Sequence, residues 1–152
     1  QGFYMHDKDY FKQLWQTLSP GKMAHILLAE YKEEVLAAWM LLTYKDRIFY
    51  PYGASSSKHR DVMASNLICW EAVKLGKKLG CSSFDMWGSL GPDPDKSNDW
   101  YGFHRFKRGY GGDLVEFAGS WDLVANPTLY KGVQFANNLR WKYLRLRAKL
   151  PF

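Results

Sequence analysis

Three runs of apolar, β-branched and aromatic residues between positions 24 and 55 constrain this chain more than any other feature. They are AHILLAEY (24–31), VLAAWMLLTY (35–44) and IFYPYGAS (48–55), and only the charged triplets Lys32-Glu33-Glu34 and Lys45-Asp46-Arg47 separate them. Connections this short carry hairpins but not crossovers, so the runs predict an antiparallel meander. The middle run is apolar on both faces, which predicts a central strand. Pro51 has no N–H to give to a ladder, so the third strand must have a free side or part from its neighbour near that point.

Around this meander the periodicity is helical. From Asp7, the residues Tyr10, Phe11, Leu14, Trp15 and Leu18 recur at three- and four-residue spacings until Ser19-Pro20-Gly21 stops them. Ser55-Ser56-Ser57 offers N-cap hydroxyls to a helix over 58–79, with the stripe Ala64, Ile68, Ala72, Leu75 and Leu79 and Gly80 as its end. A short strand at 83–88 follows, and strand–helix–strand order predicts a parallel pairing by right-handed crossover. After the polar loop SLGPDPDKSND come a helix over 98–108, a strand at 113–118 and a last long helix over about 127–149, opened by Asn126-Pro127. The expected fold class is α/β (α+β), with a mixed sheet. At 152 residues, 47% apolar and 17% aromatic, without repeat or linker, the chain reads as one packed domain, 1–152.

Charge is segregated. Of the formal +6, residues 1–126 contribute nothing, with 15 Lys/Arg against 15 Asp/Glu, and 127–152 hold six basic residues and no acid. Such a tail favours phosphate-rich partners, nucleic acid or an anionic membrane face, or is a solvated basic helix end. Cys69, Cys81 and four scattered histidines suggest neither a disulfide framework nor a zinc site, which fits a reducing compartment. No apolar run is long enough to span a bilayer, and no signal-peptide pattern follows Gln1. Without an initiator Met, the chain is expected to be a fragment or a processed product.

Several stretches bear chemistry. YPYGASSSKHR (50–60) joins a strand end to a helix start beside Lys58 and Arg60, an anion site or an ordinary cap. A GxxxxGK[ST] phosphate loop is absent, and the acetyl-coenzyme A signature begins at Arg108 but ends on Asp113 instead of Gly or Ala. No GxSxG elbow surrounds a serine, and neither cysteine has a His or Asp in a recognisable relation to it. Asp93, Asp95 and Asp99 are metal ligands or turn formers. Asp85, at a strand end, orients a substrate amine, accepts a proton or caps a loop. Among Trp70, Trp87, Trp100, Trp121 and Trp141, only Trp100 and Trp141 keep polar company, which makes them the better surface candidates for stacking. Lys107 follows Phe106 on a helix due to end at Gly109. A fixed ammonium there stabilises an oxyanion or holds a phosphate; alternatively it balances the helix dipole, with Gly109 as a left-handed stop.

Three segments in order, YGASS (52–56), WEAVKLGKKLGCSSFDMWG (70–88) and GFHRFKRGYGG (102–112), resemble the second half of the Fem-type peptidoglycan bridge-forming aminoacyltransferases. The likeness runs from DYFKQLW to SWDLVANPTLY, nearly the whole chain. It implies a GCN5-related N-acetyltransferase (GNAT)-like fold, a mixed, mostly antiparallel sheet flanked by helices, here as the C-terminal domain of a two-domain transferase. It also implies transfer of an aminoacyl group from aminoacyl-tRNA to an amine in the stem peptide of a lipid-linked or nucleotide-linked muropeptide precursor. No cofactor and no metal is implied. The family's Phe-Lys pair falls on Phe106 and Lys107: the lysine holds the charged tRNA end and stabilises the oxyanion, and the phenylalanine lies against the terminal adenosine. Donor or substrate contacts fall on Tyr52, Ser55, Ser56, Asp85, Tyr101, Arg105 and Arg108. Tyr110 replaces the Phe of a Phe-Gly-Gly turn, and Asp85-Met86-Trp87-Gly88 stands for Asp-Phe/Leu-x-Gly.

The basic helix, through Arg140, Lys142, Arg145, Arg147 and Lys149, is then expected to contact tRNA phosphates or the anionic inner leaflet, in a cytoplasmic protein at the inner face of the plasma membrane. The family's acceptor residues lie largely in the other domain, so the isolated domain is not expected to act alone. Two other readings stay open: an N-acyltransferase of GNAT type using an acyl-coenzyme A donor, and a non-catalytic domain that binds RNA or membrane.

Overall fold

Asp7 starts the first helix, its Oδ1 accepting the Tyr10 N–H at 2.8 Å. This cap satisfies one of the donors that a helix leaves open at its N-terminus. The computed structural model describes residues 6–147, in the order α1 (Lys8–Leu18), β1 (Ala24–Tyr31), β2 (Glu34–Tyr44), β3 (Arg47–Ser55), α2 (Ala64–Lys78), β4 (Ser83–Asp85), α3 (Tyr101–Arg108) and α4 (Pro127–Arg147). The chain divides into two compact units: Lys12–Val115, with the sheet, α2 and α3, and Gln1–Phe11 together with Glu116–Phe152, with α4.

The sheet order is β1-β2-β3-β4. The three runs form the expected antiparallel meander with β2 central, and β4 joins β3 in parallel. β2 is central because both its faces are apolar: Leu36, Ala37, Trp39 and Leu41 are all buried. The β2–β3 register shifts between Met40 and Leu42, opposite the Pro51 region, and β4 pairs only with Arg47, Ile48 and Phe49. Pro51 thus lies where β3 has a free side, as a residue without an N–H requires.

α2 lays Ile68, Cys69, Ala72 and Gly76 against the sheet. The last position is Gly because a Cβ there would come within 2.8 Å of the Ile48 Cγ2, on a β-branched side chain that is itself buried. Ile68, Cys69 and Ala72 form one core with Ala29, Ala37, Trp39, Leu41 and Ile48, and Phe106 from α3 packs on its margin. Leu79, expected on the same stripe, is exposed.

Four expected boundaries change. α2 begins at Ala64, not near residue 58, because His59 and Met63 adopt left-handed backbone (φ 48° and 53°) around a short 3-10 turn at Arg60–Val62. Ser56 does not cap the helix: its Oγ accepts the Lys58 N–H at 3.1 Å, a local turn that competes with helix entry. β4 stops at Asp85, since the Asp85 carboxylate takes the Trp87 N–H at 2.7 Å and Trp87 turns left-handed (φ 67°). α3 starts at Tyr101, and no strand forms at 113–118, where Leu114, Val115 and Phe117 are exposed. An apolar run without a neighbouring strand has no ladder for its backbone groups. α4 opens as its Asn126-Pro127 signal requires, the Asn126 Oδ1 accepting the N–H groups of Thr128 and Leu129 at 3.0 and 3.1 Å.

Leu41, with 0% of its surface exposed, and Leu28, with 54%, provide an internal comparison. Leu41→Ala is expected to cost about 2–5 kcal/mol of unfolding free energy, and Leu28→Ala less than about 0.5 kcal/mol. Urea denaturation monitored by circular dichroism measures both.

Candidate active site

Neighbouring residues on a helix point about 100° apart, and α3 uses this to give Phe106 and Lys107 different surroundings. Phe106 meets Trp39 edge to face, with ring centroids 6.2 Å apart, and Trp39 stacks on Tyr50 at 3.6 Å. Lys107 donates from Nζ to the Gly88 carbonyl at 2.5 Å and lies 5.9 Å from the centroid of the Tyr50 ring. The central strand thus supports one residue of the pair through Trp39, and β3 with the loop after β4 receives the other.

Burial pushes the Lys107 ammonium below the ordinary lysine range, and the Asp85 carboxylate partly opposes this. An ammonium has three donors. With one given to Gly88, the remaining donors of a desolvated, positioned cation suit an oxyanion or a phosphate.

The neighbouring phenols and the Cys69 thiol are shifted away from their ionised forms. Burial raises the Cys69 thiol and the Tyr50 phenol. Burial and the hydrogen bond with Cys69 push Tyr110 up to about 12, while its hydroxyl donates to the Asn66 Oδ1 at 3.2 Å. Tyr110 also packs on Phe106, 5.4 Å between centroids. Tyr110 and Phe106 line a groove of about 340 Å³ together with Met63, Asn66 and Arg105. A neighbouring groove of about 260 Å³ shares Met63 and Asn66 and is lined further by Ser55, Ser56, Lys58 and Arg60.

The residues singled out in the sequence are therefore only partly brought together. Ser55 and Ser56 line one groove, Arg105 and Phe106 the other, and Asp85 acts on Lys107. Asp85 also caps its own loop, the third of its expected roles. Tyr52 is paired with Met40 across the β2–β3 ladder, Tyr101 stacks on His104, and Arg108 is exposed at the end of α3. The Lys58 Nζ is 3.0 Å from each carboxylate oxygen of Glu34, so part of its charge is already compensated. Arg140, Lys142, Arg145 and Arg147 are exposed on α4, in the other unit; Lys149 lies outside the described residues.

Two readings need correction. Gly109 is right-handed (φ −61°), and the left-handed glycine is Gly111 (φ 71°), because the chain makes one more turn after α3. The stretch 108–113, which departs from the coenzyme A signature at Asp113, begins on the last residue of α3, so it does not offer the N–H groups of a helix start either. Trp100 and Trp141 are not distinguished by exposure: at 51% and 47% they are less exposed than Trp70 and Trp87, both 57%, and Trp121, 87%. Asp95 accepts the Ser97 N–H and hydroxyl, each at 2.8 Å, which holds its carboxyl below the usual range. No group of three His, Cys, Asp or Glu able to hold a metal converges among the described residues. Sequence reasoning met Gly88 as the glycine of the Asp85-Met86-Trp87-Gly88 motif and did not name Tyr50, Asn66, Ser89 or His104 as site residues. Of these four, His104 left a signal, its three-residue spacing from Lys107 on one helix face.

The FemAB family model matches residues 21–138. The chain belongs to the FemAB family. Among curated relatives, it is 34% identical over 99 residues to a lipid II:glycine glycyltransferase of Staphylococcus epidermidis, covering 65% of this chain and 24% of that protein. It is 32% identical over 109 residues to the protein of that name in Staphylococcus haemolyticus, covering 71% and 26%. The chain thus spans about a quarter of the length of these relatives. The crystal structure of FemX superposes with a TM-score of 0.58 at 25% identity over 84% of this chain and 29% of that one. The aminoglycoside 6'-N-acetyltransferase AAC(6')-Ig of Acinetobacter haemolyticus superposes with a TM-score of 0.60 at 16% identity over 81% and 86%, a likeness of fold. The GNAT-like fold class expected from the sequence is the one found.

Asp85 is the group that favours the charged form of Lys107, so Asp85→Asn is expected to lower the lysine pKa further. An NMR titration of the Lys107 side chain checks this; an unchanged or raised value would contradict the electrostatic account.

Proposed function

We propose that this chain supplies the donor side of an aminoacyltransferase that builds peptidoglycan interpeptide bridges, as the C-terminal domain of a longer protein. The aminoacyl group passes from aminoacyl-tRNA to an amine in the stem peptide of a lipid-linked or nucleotide-linked muropeptide precursor. Membership of the FemAB family supports this reading, as do relatives named lipid II:glycine glycyltransferase. The observation that carries it is the half-buried Lys107, anchored to Gly88 beside Phe106.

The chemistry asks little beyond positioning. An aminoacyl ester is already activated: the amine attacks the ester carbonyl, a C–N bond forms, and the C–O bond to the tRNA ribose breaks. The amine proton ends on the departing ribose oxygen. Lys107 stabilises the oxyanion of the tetrahedral intermediate, and the groove of Arg105, Phe106 and Tyr110 takes the terminal nucleotide, with Arg105 on phosphate. Raised tyrosine and cysteine pKa values are no obstacle, because no protein nucleophile is required. The basic side chains of α4 contact tRNA phosphates or an anionic membrane face. A cytoplasmic location at the inner face of the plasma membrane accords with these substrates; no described helix is long and apolar enough to cross a membrane.

Full-length protein incubated with muropeptide precursor and charged tRNA is expected to add an aminoacyl mass that ribonuclease treatment abolishes. Lys107→Met should reduce that transfer about 10²–10³-fold with the circular dichroism spectrum unchanged. An acetyl mass from acetyl-coenzyme A instead would replace this reading with the coenzyme A-dependent one.

Reversing Arg140 and Arg145 to Glu should weaken tRNA binding and flatten its dependence on log salt by about one for each phosphate no longer neutralised. Filter binding between low and moderate salt reads the slope. An unchanged slope would remove these residues from the nucleic-acid interface.

A further inference from the structure

His104 is 6% exposed, and its Nε2 is buried with no hydrogen-bond partner among the described residues. Its Nδ1 lies 3.0 Å from the Ser89 Oγ, within hydrogen-bond distance. A buried polar group that is only half satisfied needs a reason, since an apolar ring at this position would be free of the unmet nitrogen. What histidine adds over such a ring is the bond to Ser89.

Ser89 directly follows Gly88, whose carbonyl accepts from Lys107. His104 and Lys107 stand one turn apart on α3, so two side chains of one helix face grip two consecutive residues of the loop after β4. The loop needs this external hold. β4 ends at Asp85, Trp87 is left-handed, and the other holds on this stretch, the Asp85 carboxylate on the Trp87 N–H, Met86 against the core and the edge contact of Trp87 with Phe49 of β3, all come before Gly88. Glycine at 88 adds backbone freedom next to the acceptor that Lys107 requires.

We propose that His104 is a positioning residue for Lys107: through Ser89 it fixes the loop so that the Gly88 carbonyl holds the lysine ammonium in place. The groups facing that ammonium are then the Gly88 carbonyl, the Asp85 carboxylate from β4 and the Tyr50 ring from β3. Loss of the Ser89 bond lets the loop leave, Lys107 regains water, and the desolvation that lowers its pKa is relieved.

The test uses the full-length protein and the variants Ser89→Ala, His104→Phe and His104→Asn. Ser89 is exposed, so its truncation spares the core. The asparagine amide reaches the place of the imidazole Nδ1 and can restore the bond. The Lys107 pKa, read by NMR, is expected to rise toward the ordinary lysine value in Ser89→Ala and His104→Phe and to return toward wild type in His104→Asn. An unchanged Lys107 pKa in folded Ser89→Ala protein overturns the proposal, even if His104→Phe fails to fold. The catalytic consequence rests on the transfer reading above: kcat should fall about 10- to 100-fold with KM little changed. A shifted Lys107 pKa with unaltered transfer upholds the positioning and counts against Lys107 in the reaction, so the two ideas fail separately.

Discussion

The stack of Trp39 on Tyr50 is the contact on which the rest of the Lys12–Val115 unit depends. Trp39 is 2% exposed at the middle of the central strand, and Tyr50 comes from β3, so the stack spans the sheet at 3.6 Å. Phe106 meets Trp39 edge to face, and the next residue of the same helix, Lys107, brings its ammonium to 5.9 Å from the Tyr50 ring centroid. A buried aromatic brings a large apolar area and a preferred contact geometry. In this protein that geometry links the core to the candidate site.

Beside this packed centre, β3 and β4 separate after three paired residues. The separation ends one ladder early and leaves backbone carbonyls near the site free for other donors. Gly88 uses its carbonyl to hold Lys107. A polar environment built from a main-chain carbonyl, a carboxylate and an aromatic face suits a cation that must be dehydrated yet remain charged. The buried thiol nearby, Cys69, is raised by burial, away from the thiolate that a nucleophile needs. What this arrangement offers is a positioned, partly desolvated cation.

The sheet was the most legible part. Apolar runs with two very short charged separators allow little but a meander, and Pro51 announced the change of register in β3. Helix boundaries were less legible. Three serines before an amphipathic stripe look like a cap, yet Ser56 bonds within its own turn and Met63 takes a left-handed conformation that its residue type does not advertise. The run at 113–118 had the composition of a strand but no strand to pair with. Of the site, Phe106, Lys107, Arg105, Asp85, Ser55 and Ser56 could be named because charge, aromaticity and motif order are local properties.

Sequence alone determined the three strands of the meander, the neutral body with its basic last helix, and a lysine beside a phenylalanine on a short helix. Those properties follow from residue type and from spacings within a few positions, which local periodicity expresses. Tertiary structure decided what the lysine meets: a carbonyl 19 residues earlier, the ring of Tyr50 and the carboxylate of Asp85. It also decided that His104 is buried and half satisfied. Partners so distant along the chain are selected by how helix and sheet pack, because burial and desolvation depend on the space around a group and not on its neighbours in sequence.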